Sequence, residues 1–217
     1  MNFATILRSK LTYDSFTDND LKTTFQDKSP SAILSGLSRS LRSKDIIKLK
    51  RGIYVFGESL RRAPVSKFSV ANKMATPSYV SFESALSFHG LIPEAVYATT
   101  SASPQRKEKL FQTHLGDFSF EYIPCQPFFM GVENQKKQSV FLIATPIKAL
   151  FDFVYRKRKS YRKLQELEVD LRIDQDELKQ ALIGLSYRDL ETLALSYRKK
   201  NVASLFELLA REYLWKI

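Results

Sequence analysis

The amino-acid sequence predicts an α+β fold, and three observations carry that prediction. Residues 3–43 place apolar side chains at helical spacing in three short segments. Residues 46–56 are two β-rich runs separated by Arg51-Gly52. From residue 63 onward, helical and β-prone segments mix, and the chain becomes helical by period from about residue 160. The order helix, helix, helix, hairpin predicts an N-terminal winged helix-turn-helix over residues 1–62. A larger mixed α/β domain over residues 63–217 follows, with a small sheet and a helical C-terminal part.

The first helix reads from Phe3 to Lys10, behind an Asn2 cap, with Phe3, Ile6, Leu7 and Leu11 on one side. Tyr13 to Thr17 is too polar for a core helix and reads as a turn or short extended link. A second helix starts at Thr17 or Asp18 and runs to about Phe25, with Leu21 and Phe25 facing inward. Ser29-Pro30 is a strong start for the third, since serine caps and proline fits the first helical position. That helix runs to about Ser43. At about 100° per residue, Ile33, Leu34, Leu37 and Leu41 gather on one side. Ser31, Ser35, Ser38, Arg39 and Arg42 gather opposite, with no acidic residue among them. Small hydroxyls permit close approach to a groove, and arginine bonds guanine edges or phosphates.

Ile46 to Lys50 and Gly52 to Phe56 form the hairpin, with Lys48, Lys50 and Arg51 near its tip and Gly52 supplying the permissive backbone of the turn. In a winged helix the third helix enters the major groove and the hairpin touches the backbone or minor groove. The residues expected to contact double-stranded DNA are therefore Ser29, Ser31, Ser35, Ser38, Arg39 and Arg42, with Lys48, Lys50 and Arg51. Residues 1–62 hold twelve Lys and Arg against six Asp and Glu, a balance of +6. Seven of those cations besides Lys44 lie between Arg39 and Arg62, flanking the third helix and the hairpin. The whole chain carries a formal charge of +11, which favours polyanionic partners.

Glu58 to Pro64 reads as a linker. A helix from Val65 to Met74 ends before Thr76-Pro77, and Ser81 caps another that stops at His89-Gly90. Four β-prone runs follow: Ala95–Thr100, Lys109–His114, Phe118–Ile123 and Ser139–Ile143. Leu115-Gly116-Asp117 is the turn between the second and third, and Gly131 to Lys137 reads as a polar loop. Thr145-Pro146 opens a helix to about Tyr155, and leucines at helical spacing then run to the C-terminus.

With 44% hydrophobic residues, 7 Gly and 8 Pro, the chain is too apolar and too poor in breakers for a disordered protein. No apolar run approaches the ~18 residues of a membrane span. The first ten residues lack the basic start and apolar stretch of a signal peptide, and a single cysteine, Cys125, fits a reducing compartment. The expected location is cytoplasmic. No Walker A loop, GxGxxG, HExxH, GxSxG or CxxC pair is present, and His89 and His114 are the only histidines. Neither histidine stands in a signature that would make a dyad with Cys125, and Asp174 and Asp176 fall in an acidic helix start. The sequence thus predicts no catalytic residues, no metal ligands and no cofactor.

Several segments resemble a known family. Tyr79-Val80-Ser81 with Ser84-Ala85-Leu86, His89 to Pro93, and Ile143 to Asp152 are similar to the body of AbiEi-type antitoxins of type IV abortive-infection systems. Arg51-Gly52-Ile53-Tyr54, after a leucine-rich helix, resembles the wing of the same proteins. The resemblance covers residues 5–155 and lies in the order and spacing of the segments. It implies a bacterial transcriptional repressor whose winged helix binds inverted repeats in its own promoter. It also implies a C-terminal domain that counteracts a nucleotidyltransferase-like toxin without forming a stable complex.

Two other readings compete. The body could bind a toxin or other partner directly, with the basic N-terminal unit docking on protein. Alternatively, Arg156-Lys157-Arg158-Lys159, the densest basic run, could serve an RNA-binding factor with Phe128 and Phe129 as stacking rings. Against the latter, a basic run is more often a solvated segment between helices and adjacent phenylalanines are more often core.

Overall fold

The computed structural model describes residues 2–94, 96–136 and 139–214. It is α+β, with helices, a three-stranded antiparallel sheet and a six-stranded mixed sheet. The chain opens with α1 (Phe3–Lys10), β1 (Ser15–Thr17), α2 (Asp18–Thr24), α3 (Pro30–Arg42), β2 (Ile46–Lys50) and β3 (Ile53–Phe56). Local chemistry fixes the helix starts. Asn2 accepts from the Thr5 amide at 2.8 Å, Thr17 and Asp20 form a reciprocal capping box, and Ser29 accepts from the Ala32 amide ahead of Pro30. The stretch read as a turn or link contains β1, which pairs antiparallel with β3 and sets Phe16 opposite Tyr54.

The three strands form a small sheet in the order β1-β3-β2. One of its faces, through Phe16, Ile46, Tyr54 and Phe56, closes over Ala4, Leu7, Leu21, Phe25, Ile33 and Leu37 of the three helices. The other face is also covered. Leu49, Ile53 and Val55 belong to the core of the rest of the molecule, with Ile47 packed beside them. All four residues of β3 are buried. A strand buried on both faces reads as an unbroken apolar run, which is the character of Ile53-Tyr54-Val55-Phe56.

After a 3-10 turn at Glu58–Leu60, Arg61 donates from Nε to the Phe56 carbonyl and Arg62 from its guanidinium to the Arg8 carbonyl. The expected linker is thus tied to the first unit. The body contains α4 (Lys67–Met74), β4 (Tyr79–Val80), α5 (Phe82–Phe88), β5 (Thr99–Ser103), β6 (Lys109–Thr113), β7 (Gly116–Tyr122), β8 (Val132–Gln135), β9 (Phe141–Ala144) and α6 (Pro146–Lys157). Its six strands are ordered β6-β7-β5-β4-β9-β8, with β5–β7 and β4–β9 parallel. Two differences from the sequence reading stand out. The first β-prone run begins four residues later than expected, its Ala95 lying outside the described residues. The polar loop from Gly131 contains β8, paired antiparallel with β9, while its Lys137 also lies outside.

Helices α7 (Leu164–Leu171), α8 (Gln175–Leu182), α9 (Tyr187–Leu195) and α10 (Lys200–Leu209), followed by a π-turn at Ala210–Leu214, complete the chain. They make α6 the centre of the body: it packs on β9 and α5 and is covered by α8 and α10. Its residues 147–154 are consecutively buried, Lys148 and Asp152 included. No described helix is long and apolar enough to cross a membrane.

Candidate nucleic-acid interface

The inward face of α3 is made by Ile33, Gly36, Leu37 and Ser40. Gly36 decides how the helix sits. A Cβ there would lie 2.3 Å from Cδ2 of Phe3, whose ring stacks on Phe25 with centroids 4.5 Å apart. The close approach of α1 at Gly36 turns the helix, so Leu34, expected on the inner face, is 62% exposed. Ser31, Ser35, Ser38, Arg39 and Arg42 are exposed as expected. Ser29 is exposed too, but its hydroxyl is engaged as the helix cap and lies 3.1 Å from that of Ser31.

The hairpin turns in two residues, Arg51 and Gly52, with Gly52 at φ +80° and an irregularity in register between Lys48 and Lys50. Lys48 and Arg51 are exposed. Lys50 is not a free tip residue, as the sequence had suggested. Its Nζ donates to the Met74 carbonyl at 2.8 Å and stands 4.2 Å from the centroid of the Phe111 ring. Burial, with Lys109 nearby, lowers its pKa. Leu49 is the extra residue of the bulge, so Lys50 lies opposite Ile53 and faces the body, as Ile47 and Leu49 do.

Charge is distributed unevenly over the molecule. Arg8 is buried, paired with Asp14 at 2.7 Å and stacked 4.5 Å from the Phe56 centroid, so it adds little to any outward field. In the basic run, Arg156 holds Glu83 and Glu121, Lys157 lies 3.9 Å from Glu83, and Lys159 pairs with Asp170 at 2.5 Å. That run is largely spent on carboxylates of its own chain. None of the ion pairs among the described residues uses Arg39, Arg42, Lys48 or Arg51. Phe128 packs on the core beside Tyr79, with Phe129 against it at 4.9 Å.

A second constellation is chemical in composition. Asp152 accepts from Tyr79 and Ser81 at Oδ2 (3.0 and 2.6 Å) and from Lys148 and Tyr197 at Oδ1 (2.9 and 2.5 Å). Lys148 also donates to the Tyr197 hydroxyl at 2.6 Å. Burial, then the Asp152 charge, pushes both phenols well above the ordinary tyrosine range. All five side chains are sealed in the core and satisfy one another, so a solute has no route to them. Phe82, just after Ser81, is buried at φ +55°. The sequence reading missed this network; its one local signal is the (i, i+4) Lys148/Asp152 pair. Three of the segments quoted for the family resemblance meet here and nearby: β4, the start of α6, and His89, whose Nε2 bonds the Ala144 carbonyl at 2.8 Å.

The chain matches no protein-family profile and no curated protein.

Proposed function

We propose that residues 2–62 form a winged helix-turn-helix that binds double-stranded DNA sequence-specifically, and that the protein is a transcriptional repressor. In this reading α3 enters the major groove with Ser31, Ser35, Ser38, Arg39 and Arg42 toward the bases. Lys48 and Arg51 reach the phosphate backbone from the hairpin tip. One observation carries it: the exposed face of α3 combines small hydroxyls with arginines that no ion pair among the described residues uses, whereas Arg156, Lys157 and Lys159 of the body's basic run are paired internally. The element order α-β-α-α-β-β, with β1 completing the sheet, supports the same reading.

The resemblance to AbiEi-type proteins extends the proposal. The repressor would act on inverted repeats in its own promoter, and the body would counteract a nucleotidyltransferase-like toxin as a type IV antitoxin without a stable complex. On this view the protein is not an enzyme and works in the cytoplasm. Co-expression with the product of a neighbouring nucleotidyltransferase-like reading frame tests the antitoxin role. Growth restored without co-purification supports it, and unrelieved toxicity counts against it.

The DNA-binding proposal is tested by selecting binders from a random duplex pool with the full chain. The expected result is an enriched sequence whose binding weakens steeply with salt as counterions are released. Recovery of no common sequence, or binding indifferent to salt, would refute it.

A further inference from the structure

We propose that Leu34 is a specificity determinant, seating the C5-methyl of a thymine in the major groove. The inference rests on the DNA-binding reading above and adds a base to it. Leu34 is 62% exposed, although leucine in the middle of an amphipathic helix ordinarily faces the core. It is a member of neither hydrophobic core, whereas Leu41 on the same helix is half-buried against the small one. Around the helix axis Leu34 lies about 40° from Ser38 and about 60° from Ser31, at the edge of the exposed arc that holds Arg42 and about 20° from Leu41. Its neighbours on that arc, Ser31, Ser35 and Ser38, end one atom beyond Cβ, so the isobutyl group stands above them.

An apolar projection amid hydroxyls and guanidinium groups has nothing to gain from a phosphate. In the major groove the apolar group on a base edge is the thymine methyl, which aliphatic side chains contact. Leu34 is the fifth residue of α3, in the N-terminal half from which recognition helices reach base edges rather than the backbone. The positive face around it commits the occupant to a polyanion, and Gly36 against Phe3 fixes the rotation that brings Leu34 outward.

The test takes the duplex selected by the full-length protein and replaces each thymine singly with deoxyuridine, which removes the methyl and keeps every hydrogen-bonding group. At one or two positions the affinity is expected to fall about fourfold, equivalent to the ~0.8 kcal/mol of one buried CH₂. Leu34→Ala, at an exposed site, is expected to keep its helical content and salt dependence and to lose the discrimination between thymine and deoxyuridine. A flat deoxyuridine series with tight binding to the parent duplex overturns the proposal and leaves DNA binding standing. So does discrimination that survives in Leu34→Ala. A flat series with Leu34→Ala dissociating an oligomer assigns the side chain to a second copy of the chain instead. If the protein selects no duplex at all, the underlying reading fails and this one with it.

Discussion

Gly36 shows how one missing methyl can set which face of a helix is exposed. Alanine is favoured over glycine inside a helix by about 1 kcal/mol. At this position, however, the added Cβ would collide with the Phe3 ring near its root, where the side chain cannot easily swing clear. Gly36→Ala is therefore expected to destabilise the protein by about 1–3 kcal/mol, the usual cost of overpacking, which urea unfolding would measure. A stabilised variant would mean that α1 and α3 are not held together as described. In the body, Asp152 is the residue on which most depends. Lys148→Met would leave its charge buried without a cation, and a loss of about 3–5 kcal/mol is expected, again by urea unfolding.

The same network has a pH signature. Tyr79 and Tyr197 hold their protons above the ordinary tyrosine range because they are buried against a carboxylate. Below pH ~10 the folded and unfolded chains are equally protonated at these phenols and the contribution is complete. As pH rises beyond that, the unfolded chain alone releases protons, so stability falls until the folded values are reached. An ultraviolet phenolate titration should show part of the ten tyrosines ionising only as the protein unfolds. Smooth ionisation of all of them in the folded protein would contradict the geometry.

At the scale of elements, the three short helices and the hairpin were legible because their signals are local. Ser29-Pro30 starts α3, Thr17 caps α2 and Gly52 turns the hairpin, each through contacts within a few residues. Strands β1 and β8 were not legible, because neither has a pattern of its own. β1 exists by pairing with a strand nearly forty residues later, and β8 by pairing with β9 across a polar segment. Leu34 misled for a related reason. Periodicity places it at the border of the apolar arc, and the rotation of α3 depends on Phe3, which lies in another helix. Lys50 is the clearest functional consequence of tertiary packing. Counted as a hairpin cation it would touch DNA; bonded to the Met74 carbonyl it joins the hairpin to α4. Lys50→Ala is expected to lower thermal stability while leaving the salt slope of DNA binding unchanged. Arg51→Ala should reduce that slope by about one and leave stability alone. Exchange of these two phenotypes would place the wing contacts elsewhere.

For the whole molecule, the α+β class and the helical C-terminal part followed from the sequence, but the connection between the two regions did not. The sequence suggested a linker between residues 58 and 64, yet β2 and β3 lend Leu49, Ile53 and Val55 to the body's core. Lys73 reinforces the join by donating to the carbonyl and hydroxyl of Ser15. The hint lay in Ile53 to Phe56, four apolar residues without alternation, which calls for cover on both faces. Because β3 gives Ile53 and Val55 to one core and Tyr54 and Phe56 to the other, Ile53→Ala, expected to cost about 2–5 kcal/mol, is expected to lower protection against hydrogen exchange in α6 as well as in α1. Protection lost from α1 alone would mean that the N-terminal unit unfolds independently.

Among the described residues, Arg156, Lys157 and Lys159 of the body's basic run are in ion pairs, whereas Arg39, Arg42, Lys48 and Arg51 on α3 and the hairpin are not. The most direct test of the proposed role of α3 is the affinity of Arg42→Ala for the selected duplex and for an unrelated duplex of equal length. If α3 reads bases, the variant should lose about 1–3 kcal/mol on the selected site and far less on the unrelated one. An equal loss on both, or none on either with the fold intact, would contradict it.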